Sequence, residues 1–469
     1  MLCYQMDPHP SKTIFIYKWE ALTRYLLFDR TLERYKYWLD SGKISPFASI
    51  RYYQGVVWQS VKHMVSLPRI LFFNSQGPDF EFDGKRCSTT GVSRMLVDIY
   101  RRAARLLRDE LLFRLTDEEL GIPSTHYGNI VDELASETPG YGFLNDPAFC
   151  KGMEVLKVFM SLPRFRDNFY IRAGSRLIWI PRRCKQYLEC VKEFKELVYL
   201  LVHILAGMPK RGSEEWRTKV FNTLERVRNV FHMLERLALI GNYAKTSSIE
   251  ESDRLTLHFI PNCVAQLILQ FFALVADIEK RFVNMFYDRR RKDWECFLFS
   301  SFGRPWTSVQ LSGILKRETK RYLSIPYGLA DLRHIIPAIA EHYGIMIPIS
   351  GDTVGDHQQA HSRRLAGRLY SRTAGVHPKL DSNLVHSTMS FCDHWQRLMG
   401  FSCDEPKIMS DNDMRTVSLR FPSDRRDSEL ARAVKELLSI LTGPAEGVDL
   451  AQHRDMLERL RMVLKPTDS

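Results

Sequence analysis

The chain has 469 residues, of which 45% are hydrophobic and 26% are charged. This composition excludes a mostly disordered or fibrous protein, and the length suggests two or three folded units. Lys and Arg (67) outnumber Asp and Glu (55), and the resulting net charge of +12 favours a polyanionic partner, nucleic acid or an anionic membrane, although many soluble proteins are basic for no specific reason.

Targeting and membrane signals are not expected. No apolar run follows a basic start near Met1, so we predict no secretory signal. The longest apolar stretches, residues 197–208 and 263–278, are shorter than the roughly 18–20 residues of a membrane span, so we predict two buried core helices. The nine cysteines lack paired spacings, which indicates reduced thiols and a nuclear or cytoplasmic protein that is not secreted.

Residues 1–182 are predicted to form a helical N-terminal domain. Apolar residues recur at helical spacing over residues 19–39 and 95–115, and turn-forming residues at 138–142 predict a loop. The outer faces of the second helix are basic, which is typical of a solvated surface but also suits a helix that lies along a DNA backbone. The candidate DNA-binding residues are Arg101, Arg105 and Arg108.

The pattern changes near residue 183. A long apolar helix is predicted over residues 184–206, because Gly207 and Pro209 follow it, and a short helix is predicted near Ser213. Alternating segments then predict strands at residues 237–244 and 255–260, and residues 230–233 offer a third.

Helical spacing returns over residues 261–342 and 358–372. The predicted fold is mainly α with a small antiparallel β-sheet. Residues 183–405 would form a second domain, and residues 406–469 would form a charged helical C-terminal tail.

Four short segments of the second domain carry residues suited to phosphate chemistry. The first, residues 207–214, places Arg211 on a Gly/Pro-shaped turn with Glu214 three positions later. The second has Lys245 at the mouth of the predicted hairpin, and the third is Leu332-Arg333-His334. In the fourth, Tyr370 follows His361 by nine residues.

This order of motifs resembles the tyrosine recombinase family, the phage-integrase-like enzymes. The segment Gly-x-Pro-x-Arg-Gly-x-Glu, with Arg228-Asn229, Tyr-x-Lys and Leu-Arg-His-Ile, is most similar to fungal Crypton-type transposon recombinases and to recombinase-like modules beside fungal helicases. Residues 142–147 also resemble a segment upstream of that domain in those proteins. The resemblance covers about residues 190–400.

The resemblance implies strand cleavage through a covalent phosphotyrosyl link, with Tyr370 as the nucleophile. A phenol with a pKa near 10 is a poor nucleophile alone, and two guanidinium groups, from Arg211 and Arg333, suit the phosphate because their planar forks donate paired hydrogen bonds. His361 would donate to the same phosphate, and Lys245 would protonate the leaving oxygen. No metal or other cofactor is expected. The supporting residues would be Glu214, which braces Arg211, and His334.

Three departures from the family pattern favour functions other than an active recombinase. Ala330 stands where the family usually has His, Lys or Tyr. Pro337 is expected to kink or end the helix that carries Arg333. The segment at residues 345–358, between Arg333 and His361, is longer than usual in the family. Lys210, beside Arg211, could be mistaken for the catalytic cation. A lysine at position 245 is also typical of a surface turn, and a tyrosine at position 370 is also typical of the core.

Three functions therefore remain open. The first is an active recombinase whose N-terminal half clamps double-stranded DNA, with homo-oligomerisation on DNA implied by the resemblance. The second is a catalytically degenerate, domesticated DNA-binding protein of the same fold. The third is a basic helical scaffold that binds protein or RNA. No membrane partner is expected.

Overall fold

The computed structural model describes residues 69–74, 77–122, 127, 130–173, 176–241, 256–287, 291, 293–345, 348–349, 352–353, 382–402 and 405–419. Contacts along the chain separate residues 1–69 from residues 70–469. Only the second unit is described below. The domain boundaries that we placed at residues 182 and 405 stay predictions.

Helices dominate the described part of the chain, in agreement with the predicted fold class. They are α1 (Thr89–Arg105), α2 (Gly152–Ser161), α3 (Pro163–Phe169), α4 (Pro181–Leu205), α5 (Gly212–Glu215), α6 (Asn262–Gln270), α7 (Ala276–Phe286), α8 (Ser308–Leu323), α9 (Leu329–His342), α10 (Ser382–Leu398) and α11 (Asp411–Leu419). Two helices contain or continue into a wider π-helical turn, at Leu106–Leu111 after α1 and at Phe271–Val275 between α6 and α7.

The strands form small antiparallel sheets. They are β1 (Ile70–Phe72), β2 (Asp79–Phe82), β3 (Lys85–Ser88), β4 (Tyr170–Ala173), β5 (Arg176–Trp179), β6 (Val230–Met233), β7 (Arg236–Gly241), β8 (Thr256–Phe259), β9 (Ser300–Ser301), β10 (Arg304–Pro305), β11 (Pro348–Ile349) and β12 (Asp352–Thr353). The orders β1-β2-β3 and β6-β7-β8 give two three-stranded sheets, and the other strands pair as hairpins. The predicted sheet of three strands at residues 230–260 is therefore confirmed.

Helix α4 is the centre of the core. Its C-terminal half, residues 197–205, is buried on all sides, and α1, α6, α7, α8 and α10 pack around it. Trp395 of α10 donates to the carbonyl of Ile204 at 2.7 Å, and Gln396 donates to the carbonyls of Leu205 and Phe259 at 3.2 and 2.8 Å. These bonds satisfy the last carbonyls of α4 and join its end to strand β8.

Both long apolar stretches are buried, as predicted. Within the described residues one helix, Asn262–Phe286, is long and apolar enough to cross a membrane, and 72% of its most apolar stretch is buried inside the protein. Burial of this kind is expected for a core helix, so the structure indicates no membrane partner. The seven cysteines among the described residues form no disulfide, and their reduced state stays a prediction.

Two small sheets lie in the region that we predicted to be helical. In the first sheet Phe80 and Phe82 of β2 are buried while alternate residues face outward, and Asp83 and Gly84 form the turn to β3 with φ of 47° and 78°. An Asp-Gly pair after an alternating segment is a hairpin signal that the sequence analysis missed. The second sheet is the β4–β5 hairpin.

Two predictions for residues 261–342 need correction. Between Tyr287 and Thr307 the described residues form a short 3-10 turn at Trp294–Cys296 and the β9–β10 hairpin instead of an α-helix, and the hairpin turn residues Phe302 and Gly303 have φ of 50° and 77°. Pro337 does not end α9, which continues to His342. Proline removes one backbone donor, but the buried side chains of Ile336 and Ile339 on either side hold the helix in the core.

A buried ion pair joins the loop before residue 142 to the sheet. Arg228 donates to Asp132 at 2.6 Å, with both side chains fully buried, and its guanidinium lies over the rings of Tyr141 and Phe231 at 4.8 and 4.5 Å. Asp132 also accepts from the backbone of His232 at 2.9 Å, so one carboxylate connects the loop with strand β6.

We expect Arg228→Met to lower the free energy of unfolding by about 3–5 kcal/mol, because Asp132 would stay buried without its ion-pair partner. Arg226→Met is the matched control: its side chain is exposed two residues away, and we expect a change within about 0.5 kcal/mol. Urea denaturation measures both values. Equal losses of unfolding free energy in the two variants would show that the Arg228–Asp132 ion pair is not the cause.

Candidate functional site

The turn that carries Arg211 is held by its own backbone bonds. Gly207 leaves the end of α4 with φ of 113°, a conformation that favours glycine, and the chain enters α5 at residue 212. The backbone N–H of Arg211 donates to the carboxylate of Glu214 at 3.2 Å, and the carbonyl of Arg211 accepts from Glu214 and Glu215 at 2.9 Å. An arginine side chain cannot accept hydrogen bonds, so Glu214 alone supplies the cap and braces the turn.

Glycine allows the turn to approach two helices. A Cβ atom on Gly212 would lie 2.9 Å from the side chain of Leu329 and 3.0 Å from that of Ser308, the first residues of α9 and α8. A Cβ atom on Gly328 would lie 2.7 Å from the hydroxyl of Ser312, so the two helix starts are also close to each other. The Arg211 turn therefore sits directly against the beginning of α9.

Arg333 lies on the same face of α9 as that contact. It follows Leu329 by four residues, which places it one turn further along the same side of the helix. Burial lowers the pKa of the Arg333 guanidinium, the nearby charge of Arg211 lowers it further, and Glu214 acts to raise it. The structure thus brings three of the predicted residues, Arg211, Glu214 and Arg333, into one half-buried charge cluster.

Glu214 is the common neighbour in this cluster. Burial raises the pKa of its carboxyl, while the backbone bond from Arg211 and the charges of Arg211, Lys210 and Arg333 act to lower it. One carboxylate therefore faces three cations, and the balance of charge at the turn is positive.

The remaining predicted residues are placed differently. His334 is exposed, as expected for a neighbour about 100° around the helix from Arg333, and Ala330 is exposed as well. Lys245, His361 and Tyr370 lie outside the described residues. Strand β7 ends at Gly241 and strand β8 begins at Thr256.

A cavity opens between the Arg211 turn and the sheet. It reaches Gly241 and Thr256, the ends of the strands that flank residue 245. It is lined by Lys210, Glu214, Arg217, Thr218, Arg226, Val227, Asn229, Gly241 and Thr256. Three of these residues are cationic. Arg217 and Arg226 were missed by the sequence analysis, since a basic side chain in a polar segment carries no signal of what it faces after folding.

Lys210, the residue before Arg211, is buried. Burial lowers its pKa, and the carboxylates of Glu215 and Glu214 act in the opposite direction. Glu215 is itself buried: burial acts to raise its pKa, but His203, whose Nδ1 lies 3.5 Å away, and the charge of Lys210 lower it overall. Lys210 thus belongs to a buried charge cluster directly behind the Arg211 turn.

The three arginines of α1 and its continuation are exposed, as predicted for a basic face. Arg101 lies 3.8 Å from Asp98, Arg108 lies 3.0 Å from Asp109, and Arg105 donates to the carbonyl of Arg101 at 3.3 Å. Carboxylates close to two of the three arginines reduce the net charge of this face. Their role in DNA binding stays a prediction.

No family model matches this chain, and no solved structure matches it.

We expect Gly212→Ala to destabilise the protein by about 1–3 kcal/mol, because the new methyl group would overlap Leu329 and Ser308 and push the turn away from α9. Gly313→Ala is the matched control, since nothing lies within 4 Å of a Cβ atom there and alanine is the better helix former by about 0.5–1 kcal/mol. The thermal midpoint should therefore fall in Gly212→Ala and rise in Gly313→Ala. A stable Gly212→Ala variant would refute the close approach.

Proposed function

We propose that the protein binds duplex DNA and cuts and rejoins its strands through Tyr370, in the manner of a tyrosine recombinase. The observation that carries the proposal is the proximity of Arg211 and Arg333. Two guanidinium groups held close together in a half-buried place repel each other, and burial with the charge of Arg211 lowers the pKa of Arg333. A phosphate between them would relieve the repulsion and accept hydrogen bonds from both planar forks.

The chemistry follows from that arrangement. Charge builds on the non-bridging oxygens as the phenol oxygen attacks phosphorus, and preorganised guanidinium groups stabilise this charge most in the transition state. Glu214 fixes the backbone from which the Arg211 side chain extends. The Tyr370 oxygen loses its proton to solvent water and forms a bond to phosphorus, while the bond from phosphorus to the 5′-oxygen breaks. The 5′-oxygen then gains a proton, and Lys245 is the proposed donor.

The second candidate is a DNA-binding protein of the same architecture without catalysis. Ala330 favours it: this residue is exposed one turn before Arg333, and its methyl group neither accepts a proton nor contacts a phosphate through a hydrogen bond. The loss of a base would weaken strand cleavage more than binding, so both candidates share the phosphate site and differ in turnover.

A phosphate test of the site needs no knowledge of the target sequence. We expect inorganic phosphate, at constant ionic strength, to raise the thermal midpoint of the wild-type protein, because a ligand that binds only the folded state stabilises it. Arg333→Gln should lose most of this increase, whereas Lys320→Gln, an exposed change near the far end of α8, should keep it. Equal increases in all three proteins would place the phosphate elsewhere.

Covalent trapping tests the reaction. We expect nicked duplexes with a randomised central stretch to accumulate a denaturation-resistant protein–DNA adduct with the wild-type protein and none with Tyr370→Phe, because only the phenol oxygen forms the link. Tyr322→Phe is the matched control, and Arg211→Lys should lower the adduct yield by about 10²–10³-fold. An adduct of equal yield in wild type and Tyr370→Phe removes Tyr370 from the reaction, and no adduct together with duplex binding favours the second candidate.

A further inference from the structure

The β4–β5 hairpin projects from a rigid aromatic base. Its first cross-strand pair is Tyr170 and Trp179. The hydroxyl of Tyr170 donates to the carbonyl of Met160 at 2.8 Å, and the ring of Trp179 contacts Tyr170, Phe165 and Phe282 at centroid distances of 5.7, 6.4 and 5.3 Å. The base of the hairpin is therefore fixed against α2, α3 and α7.

Beyond that base the hairpin is exposed on both faces. The next cross-strand pair is Ile171 and Ile178, whose exposed fractions are 60% and 55%, and Leu177 is 37% exposed. Large apolar side chains next to each other on a rigid projection are unusual in water and indicate a contact surface.

The same segment concentrates the positive charge of the protein. Residues 163–185 contain seven basic residues and one acidic residue, which is half of the net charge of +12 in 23 residues. We call these residues the basic hairpin surface. Its basic members are Arg164, Arg166, Arg172, Arg176, Arg182, Arg183 and Lys185.

Few of these basic residues pair with a carboxylate in the part of the chain that the structure describes. Arg166 pairs with Asp167 at 3.2 Å. Among the residues that the structure describes, Arg172, Arg176 and Arg182 form no ion pair, and all three are exposed. A charge of one sign without internal partners favours an anionic partner outside the chain.

The basic hairpin surface is continuous with the predicted arginine face. The guanidinium of Arg164 lies over the ring of Phe113 at 5.6 Å. The next residue, Arg114, lies 3.3 Å from Asp109, the carboxylate that also pairs with Arg108. Basic side chains therefore run from the end of the α1 helix to the hairpin.

We propose that the basic hairpin surface binds the backbone of duplex DNA and inserts the Ile171–Ile178 pair against a groove. The inference rests on the proposed function, and it adds a second DNA contact apart from the Arg211–Arg333 cluster. A two-stranded ribbon fits the major groove, and arginine forks match phosphate geometry. Six of the seven basic residues are arginines, which suits phosphate recognition by paired hydrogen bonds.

The test is duplex binding by the full-length protein as a function of salt, with a labelled duplex of arbitrary sequence. Each phosphate contact contributes about 0.9 to the slope of log affinity against log salt, so Arg172→Gln with Arg176→Gln should lower the slope by about two. Lysine at both positions should keep most of the slope. The matched control removes two exposed charges elsewhere, Lys320→Gln with Arg321→Gln, and should leave the slope unchanged.

The apolar pair has its own readout. Ile171→Ser with Ile178→Ser should weaken duplex binding by the same factor at every salt concentration, because an apolar contact releases no counterions. Thermal unfolding of each variant should match that of wild type, since the changed side chains are exposed.

The outcomes separate this proposal from the proposed function. If wild type binds duplex DNA and the Arg172/Arg176 variant keeps its slope, or if the Lys320/Arg321 control loses as much slope, the hairpin proposal fails alone. If wild type does not bind duplex DNA, both proposals fail. Binding to vesicles with anionic lipid that is lost in the hairpin variants, while duplex binding is unchanged, would assign the surface to a membrane and overturn the DNA proposal.

Discussion

The architecture of the site depends on two like charges that are held together. Arg211 and Arg333 come from a turn and a helix that are more than a hundred residues apart, and each is half buried. Holding them together costs free energy, because burial removes solvent screening and the charges repel each other. Glycine at position 212 allows the approach, and Glu214 supplies the nearby negative charge.

Buried ion pairs keep distant segments in a fixed relation around this site. Lys195 of α4 donates to Glu279 of α7 at 2.7 and 2.9 Å, and Arg102 of α1 donates to Glu318 of α8 at 2.8 Å. Such pairs contribute little net stability compared with apolar residues, but the loss of one partner is costly. They therefore act as constraints on which helices meet. Both pairs anchor helices that pack against α4, whose end begins the Arg211 turn.

The two proposed DNA contacts would have different roles, and the environment of each explains its role. The basic hairpin surface is exposed and rich in uncompensated charge, which suits salt-dependent contact with a backbone of any sequence. The Arg211–Arg333 cluster is half buried and braced, which suits precise stabilisation of one phosphate. Net charge by itself predicted a polyanion but did not locate either place.

Patterns within a few residues were sufficient to predict several helices, strands and caps. The apolar run before Gly207, the alternation at residues 230–260 and the Arg211–Glu214 spacing all predicted what the structure shows, because burial periodicity and capping act within a few residues. The strands around Phe80 were missed although Asp83 and Gly84 mark their turn, and the strands around Ile171 were missed because their side chains are exposed and show no apolar–polar alternation. The burial of Lys210 was missed because it depends on Glu215 and on the packing of the whole turn.

The amino-acid sequence by itself determined the mainly helical class, the central sheet and the residue types able to hold a phosphate. Only the tertiary structure decided that Arg211 and Arg333 are neighbours, that Lys210 is internal, and that the basic residues of positions 163–185 flank an exposed hairpin. Periodicity states which side of an element is apolar, but not which element covers it. Charged side chains from distant segments become neighbours only when the helices that carry them pack together.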